Sequence, residues 1–171
     1  MINNPEHKHR ILLLLTEQSP MQRLWQVVEQ QLSEAHSEIV ALFVNDERWR
    51  RAASLPFTRE ISRVSGAHQE FTTQRAAEID QHIIGRIQSR LRELATDTEL
   101  QPMFEVLAER ELRRIEKYVS VEQDLLVASA DVMDRPVYRE LTRLRCRTLF
   151  VESGEQRHEH DNPHEHTGHR A

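Results

Sequence analysis

Two identical His-Glu-His triplets, His158-Glu-His160 and His164-Glu-His166, stand six residues apart near the C-terminus, with His169 just beyond them. Imidazole nitrogen suits Zn, Ni and Cu(II), and flexible histidine clusters bind such ions with modest selectivity. Glu159, Asp161 and Glu165 add oxygen donors. The cluster contains no cysteine and no fixed finger-like spacing, so it is not a structural zinc motif. It reads either as a metal-handling tail or as a solvated polar one. A pH-responsive tail is a third reading, because imidazoles titrate near ~6.5.

Other groups offer less. Cys146 lies between Arg145 and Arg147. Flanking cations lower a thiol pKa and favour redox chemistry, whereas a cysteine entering a strand more often serves as a small buried hydrophobe. His36, His68 and His82 are scattered, and the sequence points to no serine or cysteine nucleophile with its base and carboxylate. Glu109, Glu111 and Glu116 alternate with Arg110, Arg113, Arg114 and Lys117, the pattern of a salt-bridged, solvated face. Between Asp46 and His68 run Arg48, Arg50, Arg51, Arg59 and Arg63, interleaved with Trp49, Leu55, Phe57 and Ile61. Aromatic rings among arginines can stack on a base or nucleotide ring. Asp46, Glu47 and Glu60 dilute the charge, which favours aromatics packed on the body with arginines in water. A partner-binding surface is the intermediate reading.

These groups must be positioned by five short apolar segments: Ile11–Leu15, Ile39–Val44, Met103–Leu107, Leu125–Ala128 and Thr148–Val151. Continuous apolar runs of this length suit strands buried on both faces. Amphipathic stretches separate them. Met21, Leu24, Trp25, Val28, Leu32 and Ala35 mark one helix face, with Ser19 as N-cap and Pro20 at the first helical position. Phe71, Arg75, Ile79, Ile83, Ile87, Leu91 and Leu94 mark a longer helix over 69–95, in which Gly85 is explained by close packing. Leu112, Ile115, Tyr118 and Val119 predict a short helix; Val137, Leu141 and Leu144 predict another within 134–145. The long connection 46–68 is expected to carry a small helix over Thr58–Ser65. The fold class is therefore α/β, a doubly wound five-stranded parallel sheet with helices on both faces.

The chain divides into a leader (1–10), a domain (11–152) and a His-rich tail (153–171). Its 171 residues are 38% hydrophobic and 30% charged, with a net charge of -5 and one cysteine. That balance, with no long basic block, makes nucleic acid an unexpected partner. The longest apolar run is too short to cross a bilayer, the N-terminus lacks a signal-peptide pattern, and a single cysteine forms no internal disulfide. A cytoplasmic location with no membrane attachment is the expectation.

Taken in order, the segments resemble a bacterial universal stress protein over residues 9–152. Arg10-Ile-Leu-Leu-Leu-Leu-Thr is similar to that family's opening strand, and Ile39-Val-Ala-Leu-Phe-Val to its second. Asp124-Leu-Leu-Val-Ala-Ser and Arg147-Thr-Leu-Phe-Val, with Cys146 just before it, resemble its fourth and closing strands. The resemblance implies the strand order 3-2-1-4-5 and a nucleotide pocket at the carboxyl ends of the first and fourth strands, where the strand order of such a sheet reverses. It also implies a homodimer through the edge strand Arg147–Glu152, in keeping with that strand's short apolar centre.

Two departures bear on that pocket. The family's nucleotide binders carry an aspartate where Thr16 stands, and a glycine loop after the fourth strand, but no glycine lies between Asp124 and Glu152. Glycines let backbone N–H groups wrap a phosphate, while Asp131 and Asp134 would repel one; Arg135 offsets one of them, but a single arginine is not a cradle. Thr16, Glu17, Ser19, Val44, Ser129 and Asp131 are the residues expected to line whatever crevice remains. The expectation is a stress-associated, non-enzymatic regulatory module that binds an unidentified protein partner and needs no cofactor. The alternatives are an adenine-nucleotide (ATP or AMP) binder with a non-standard phosphate grip, and a metal-binding accessory protein using His158, His160, His164, His166 and His169 for Zn, Ni or Cu.

Overall fold

The computed structural model describes residues 9–33, 36–119 and 122–153. Its strands are β1 (His9–Leu15), β2 (His36–Asn45), β3 (Arg59–Ile61), β4 (His68–Glu70), β5 (Met103–Ala108), β6 (Leu125–Ser129) and β7 (Arg147–Val151). Its α-helices are α1 (Met21–Gln31), α2 (Arg48–Ser54), α3 (Thr73–Leu94) and α4 (Val137–Leu141). Two 3-10 segments, Glu109–Lys117 and Ala130–Asp134, follow β5 and β6.

Five strands form one sheet in the order β5-β2-β1-β6-β7, with every neighbouring pair parallel. Counting only this sheet's strands, the order is the expected 3-2-1-4-5. The labels differ because the hairpin β3–β4 intervenes between the second and third of them. The central strand β1 alternates its leucine-rich run between two layers. Ile11, Leu13 and Leu15 pack with Leu24, Trp25 and Val28 of α1 and Ile83, Ile87 and Leu91 of α3. Leu12 and Leu14 face the other way, onto Leu112 and Ile115, Val132, and Val137 and Leu141 of α4. Both faces are covered, so the run needs no polar alternation. At the amino end, the Arg10 backbone N–H donates to Oδ1 of buried Asp124 at 2.9 Å, tying β1 to the start of β6.

Several boundaries differ from the sequence expectations. His9 and Arg10 belong to β1 rather than to a leader. Thr58–Ser65 is not a helix: it holds β3, which pairs antiparallel with β4, while α2 lies earlier, over the arginines. The helix expected from residue 69 starts at Thr73, because Thr72 caps it by accepting the Arg75 N–H at 3.1 Å and His68–Glu70 is a strand. Arg75 is exposed, and the buried face of α3 starts instead at Ala76 and Asp80. Asp80 is buried beneath Arg50, whose Nε is 3.5 Å from Oδ2. A Cβ added at Gly85 would meet nothing within 4 Å, so this glycine serves no close packing. Leu112, Ile115 and Tyr118 recur every three residues, and the segment carrying them is 3-10 rather than α. Ser19 does not cap α1; its hydroxyl turns back to the end of β1. Ala35, residues 1–8 and the tail from 154 lie outside the described residues.

Candidate functional site

The strand order reverses between the parallel neighbours β1 and β6, and their carboxyl ends define the crevice where an open α/β sheet would hold a ligand. Thr16 follows β1 and is buried. Its N–H donates to Ser19 Oγ at 2.8 Å, the Ser19 N–H donates to the Thr16 carbonyl at 3.2 Å, and the two hydroxyls lie 3.2 Å apart. The turn after β1 is thus closed on itself, and both hydroxyls already have partners. Ser129 ends β6, fully buried, and its hydroxyl shares a 3.0 Å hydrogen bond with that of Ser153.

Side chains cross what space is left. Glu17 is paired with Arg48 of α2, and Arg86 of α3 lies 3.8 Å from its other oxygen. Arg135 donates to the Gln18 side-chain oxygen, and its Nε lies 3.7 Å from Asp131. The Arg48 guanidinium stacks on Trp49 at 4.9 Å, and Trp49 meets Phe71 at 6.2 Å. A cavity of about 190 Å³ remains, with Thr16, Val44, Asp46, Arg51, Arg135 and Pro136 among its lining. A second gap of about 10 Å³ lies beside Glu17, Val44, Trp49 and Arg135. Drug-sized ligands occupy pockets of roughly 300–1,000 Å³, so neither space takes a whole nucleotide as the side chains stand.

Of the six expected crevice residues, the structure brings Thr16 and Val44 to one cavity and places Glu17 and Val44 at the adjoining gap. Ser19, Ser129 and Asp131 line neither; two are spent on local hydrogen bonds and Asp131 on Arg135. The sequence marks Arg135 as a cation near Asp131 and Asp134, and Arg48 as one of the arginines interleaved with aromatics; their pairing with Gln18 and Glu17 is what it does not show. A wider, open groove of about 1,010 Å³ runs between Glu109–Arg114 and Met133–Thr142 and borders the cavity of about 190 Å³, sharing Glu109, Leu112, Arg135 and Pro136 with it. Its charges are largely matched, through Arg51–Glu109, Arg114–Glu111 and Arg143–Glu140, as the alternating sequence implies.

Cys146 departs from the redox reading. Burial pushes its thiol pKa up, opposite to the depression that Arg145 and Arg147 suggested. His158, His160, His164, His166 and His169 lie outside the described residues; among those described, no three His, Cys, Asp or Glu side chains come together as a metal site. No described helix is long and apolar enough to cross a membrane.

The connection 46–68 divides. Trp49 packs on the body, but Phe57 is 95% exposed and Val64 99%, with Leu55 and Ile61 also exposed. Phe57 further adopts a left-handed backbone, φ 63°. That conformation costs an L-residue roughly 1–2 kcal/mol, and no burial of the ring offsets it here.

No protein-family model matches the chain, and no curated protein matches it. Among solved structures it is similar to that of a hypothetical protein, PH0823, at 13% identity over 84% of this chain and 96% of the other, with a TM-score of 0.52. At that identity the likeness is one of fold: a parallel α/β architecture.

Proposed function

We propose that this chain is a non-enzymatic, stress-associated regulatory module, similar to a universal stress protein, that acts in the cytoplasm by dimerising and binding a protein partner. It does not hold ATP in that family's manner. The observation that carries this reading is the filling of the crevice by Arg135, Glu17 and Arg48, which leaves about 190 Å³. Two features support the partner-binding half. Among the described residues the edge strand β7 is paired on one side only, to β6, and Thr148, Leu149, Phe150 and Val151 are half-exposed; such an edge pairs readily with a second chain. Phe57 and Val64 also present large apolar side chains to solvent, one at each end of the hairpin β3–β4, groups that a protein partner would cover. Equilibrium dialysis against labelled ATP and AMP tests the reading. No retention of either nucleotide is expected; saturable retention at one site per chain overturns it.

A further inference from the structure

The hairpin β3–β4 has an outer edge whose backbone geometry and charges match a second copy of itself. Three residue pairs form its ladder: Arg59 opposite Glu70, Glu60 opposite Gln69 and Ile61 opposite His68. The Phe71 N–H donates to the Thr58 carbonyl at 3.1 Å, and the Ser62 N–H to the Ala67 carbonyl at 3.0 Å. In an antiparallel ladder, hydrogen-bonded pairs alternate with non-bonded ones. Glu60 and Gln69 therefore point their backbone groups inward, and His68 and Glu70 point theirs outward. All three residues of β4 are exposed.

We propose that two copies of this chain join edge to edge through β4, antiparallel about a two-fold axis at Gln69. In that register His68 stands opposite the partner's Glu70, and Glu70 opposite the partner's His68. Each such pair has its N–H and C=O groups turned outward, so the contact closes four backbone hydrogen bonds. An imidazole N–H meets a carboxylate twice, and cross-strand pairs of that kind stabilise a sheet. Glu70 already faces Arg59 across the hairpin, so the carboxylate would sit between two donors. The β3 edge does not serve equally. A two-fold there would set Glu60 against its own copy, and Glu60 is held by Arg75 through paired 3.0 Å bonds to both oxygens. The occupant is therefore a second copy through β4, and the contact is independent of pairing through β7.

Gln69 would face its copy as a non-hydrogen-bonded pair, where Cα atoms lie about 4.5 Å apart, within the range a disulfide spans. His68 would stand out of register with its own copy. The test is oxidation of the full chain carrying Cys146→Ser with either Gln69→Cys or His68→Cys, read as covalent dimer on non-reducing gels. Covalent dimer with Gln69→Cys, and its loss with His68→Cys, is expected. Equal cross-linking of both, or none of either, overturns the proposal. A β7 dimer alone would not bring the two thiols of the Gln69→Cys variant together, so failure here leaves the β7 reading standing, and success here does not establish it. A second readout follows from charge: His68→Glu and Glu70→Lys each remove the β4 contact alone, while their mixture restores it, measured by sedimentation mass. If the two single variants associate as the parent does, the proposed register is wrong.

Discussion

The Arg135 guanidinium donates to the side-chain oxygen of Gln18, 117 residues earlier in the chain, and so lies across the carboxyl ends of the two central strands. Asp131 lies 3.7 Å from the same guanidinium. A cation of the kind that meets a phosphate is instead turned inward onto the protein's own acceptors. The crevice of this sheet is closed by side chains that the chain supplies itself.

Gly85 stands in the middle of α3 with open space where a Cβ would go. Glycine at such a position lowers helix stability by roughly 0.8–1 kcal/mol relative to alanine. Gly85→Ala is therefore expected to raise the urea midpoint, with a gain of up to about 1 kcal/mol. A loss of stability would mean that the position packs against something.

Leu14 and Phe57 should respond in opposite ways. Leu14 is fully buried on the face packed by α4, so Leu14→Ala is expected to cost about 2–5 kcal/mol. Phe57 is exposed and held at a positive φ. Asparagine tolerates that backbone better, so Phe57→Asn is expected to leave stability within about 0.5 kcal/mol or to raise it. Chemical denaturation of both variants reads the contrast.

Glu60 of the hairpin is tied to Arg75 of α3. Their bond lowers the Glu60 pKa and raises that of Arg75. Because the Glu60 pKa is lowered on folding, the tie is present above the ordinary carboxylate value and is lost as pH falls through the folded one. Arg75→Ala should leave the global urea midpoint unchanged and speed trypsin cleavage after Arg59 and Arg63. Unchanged cleavage would show that the hairpin is held by other contacts.

Cys146 should behave as a half-buried thiol. Its pKa is raised chiefly by desolvation, so folding favours the protonated form. Its contribution to stability is full below the unfolded value, about 8.5, and falls as pH rises from there through the folded value. Alkylation at about pH 7.5 should run slower than for a free thiol, since the thiolate is the reactive species. Faster alkylation would restore the redox reading.

The sheet was legible in the chain because its signal is strong. Ile11–Leu15 and Leu125–Ala128 are continuous apolar runs, and a strand covered on both faces needs nothing else. The hairpin was not legible. Arg59-Glu60-Ile61 and His68-Gln69-Glu70 are three-residue polar strands with no buried face, so no period of two can show. Its one local mark was Ser65-Gly66, where Gly66 takes φ 66° in the turn. Asp80 was hidden because its burial beneath Arg50 is tertiary, not local. In the crevice, the missing glycines were readable as residue types, but the closure by Arg135 and Arg48 depends on which partners the fold brings within reach. Among the described residues, nothing bears on the tail histidines.

Thermal unfolding of the metal-free, untagged chain, alone and with about 1 mM ATP or AMP, tests the closed crevice most directly. A ligand present at a hundred times its Kd stabilises by about 2.7 kcal/mol, which is readily seen in Tm. A closed crevice predicts no shift with either nucleotide. A saturable rise in Tm, abolished by a large residue at Thr16 or Val44, would contradict it and show that Arg135 and Glu17 move aside for a ligand.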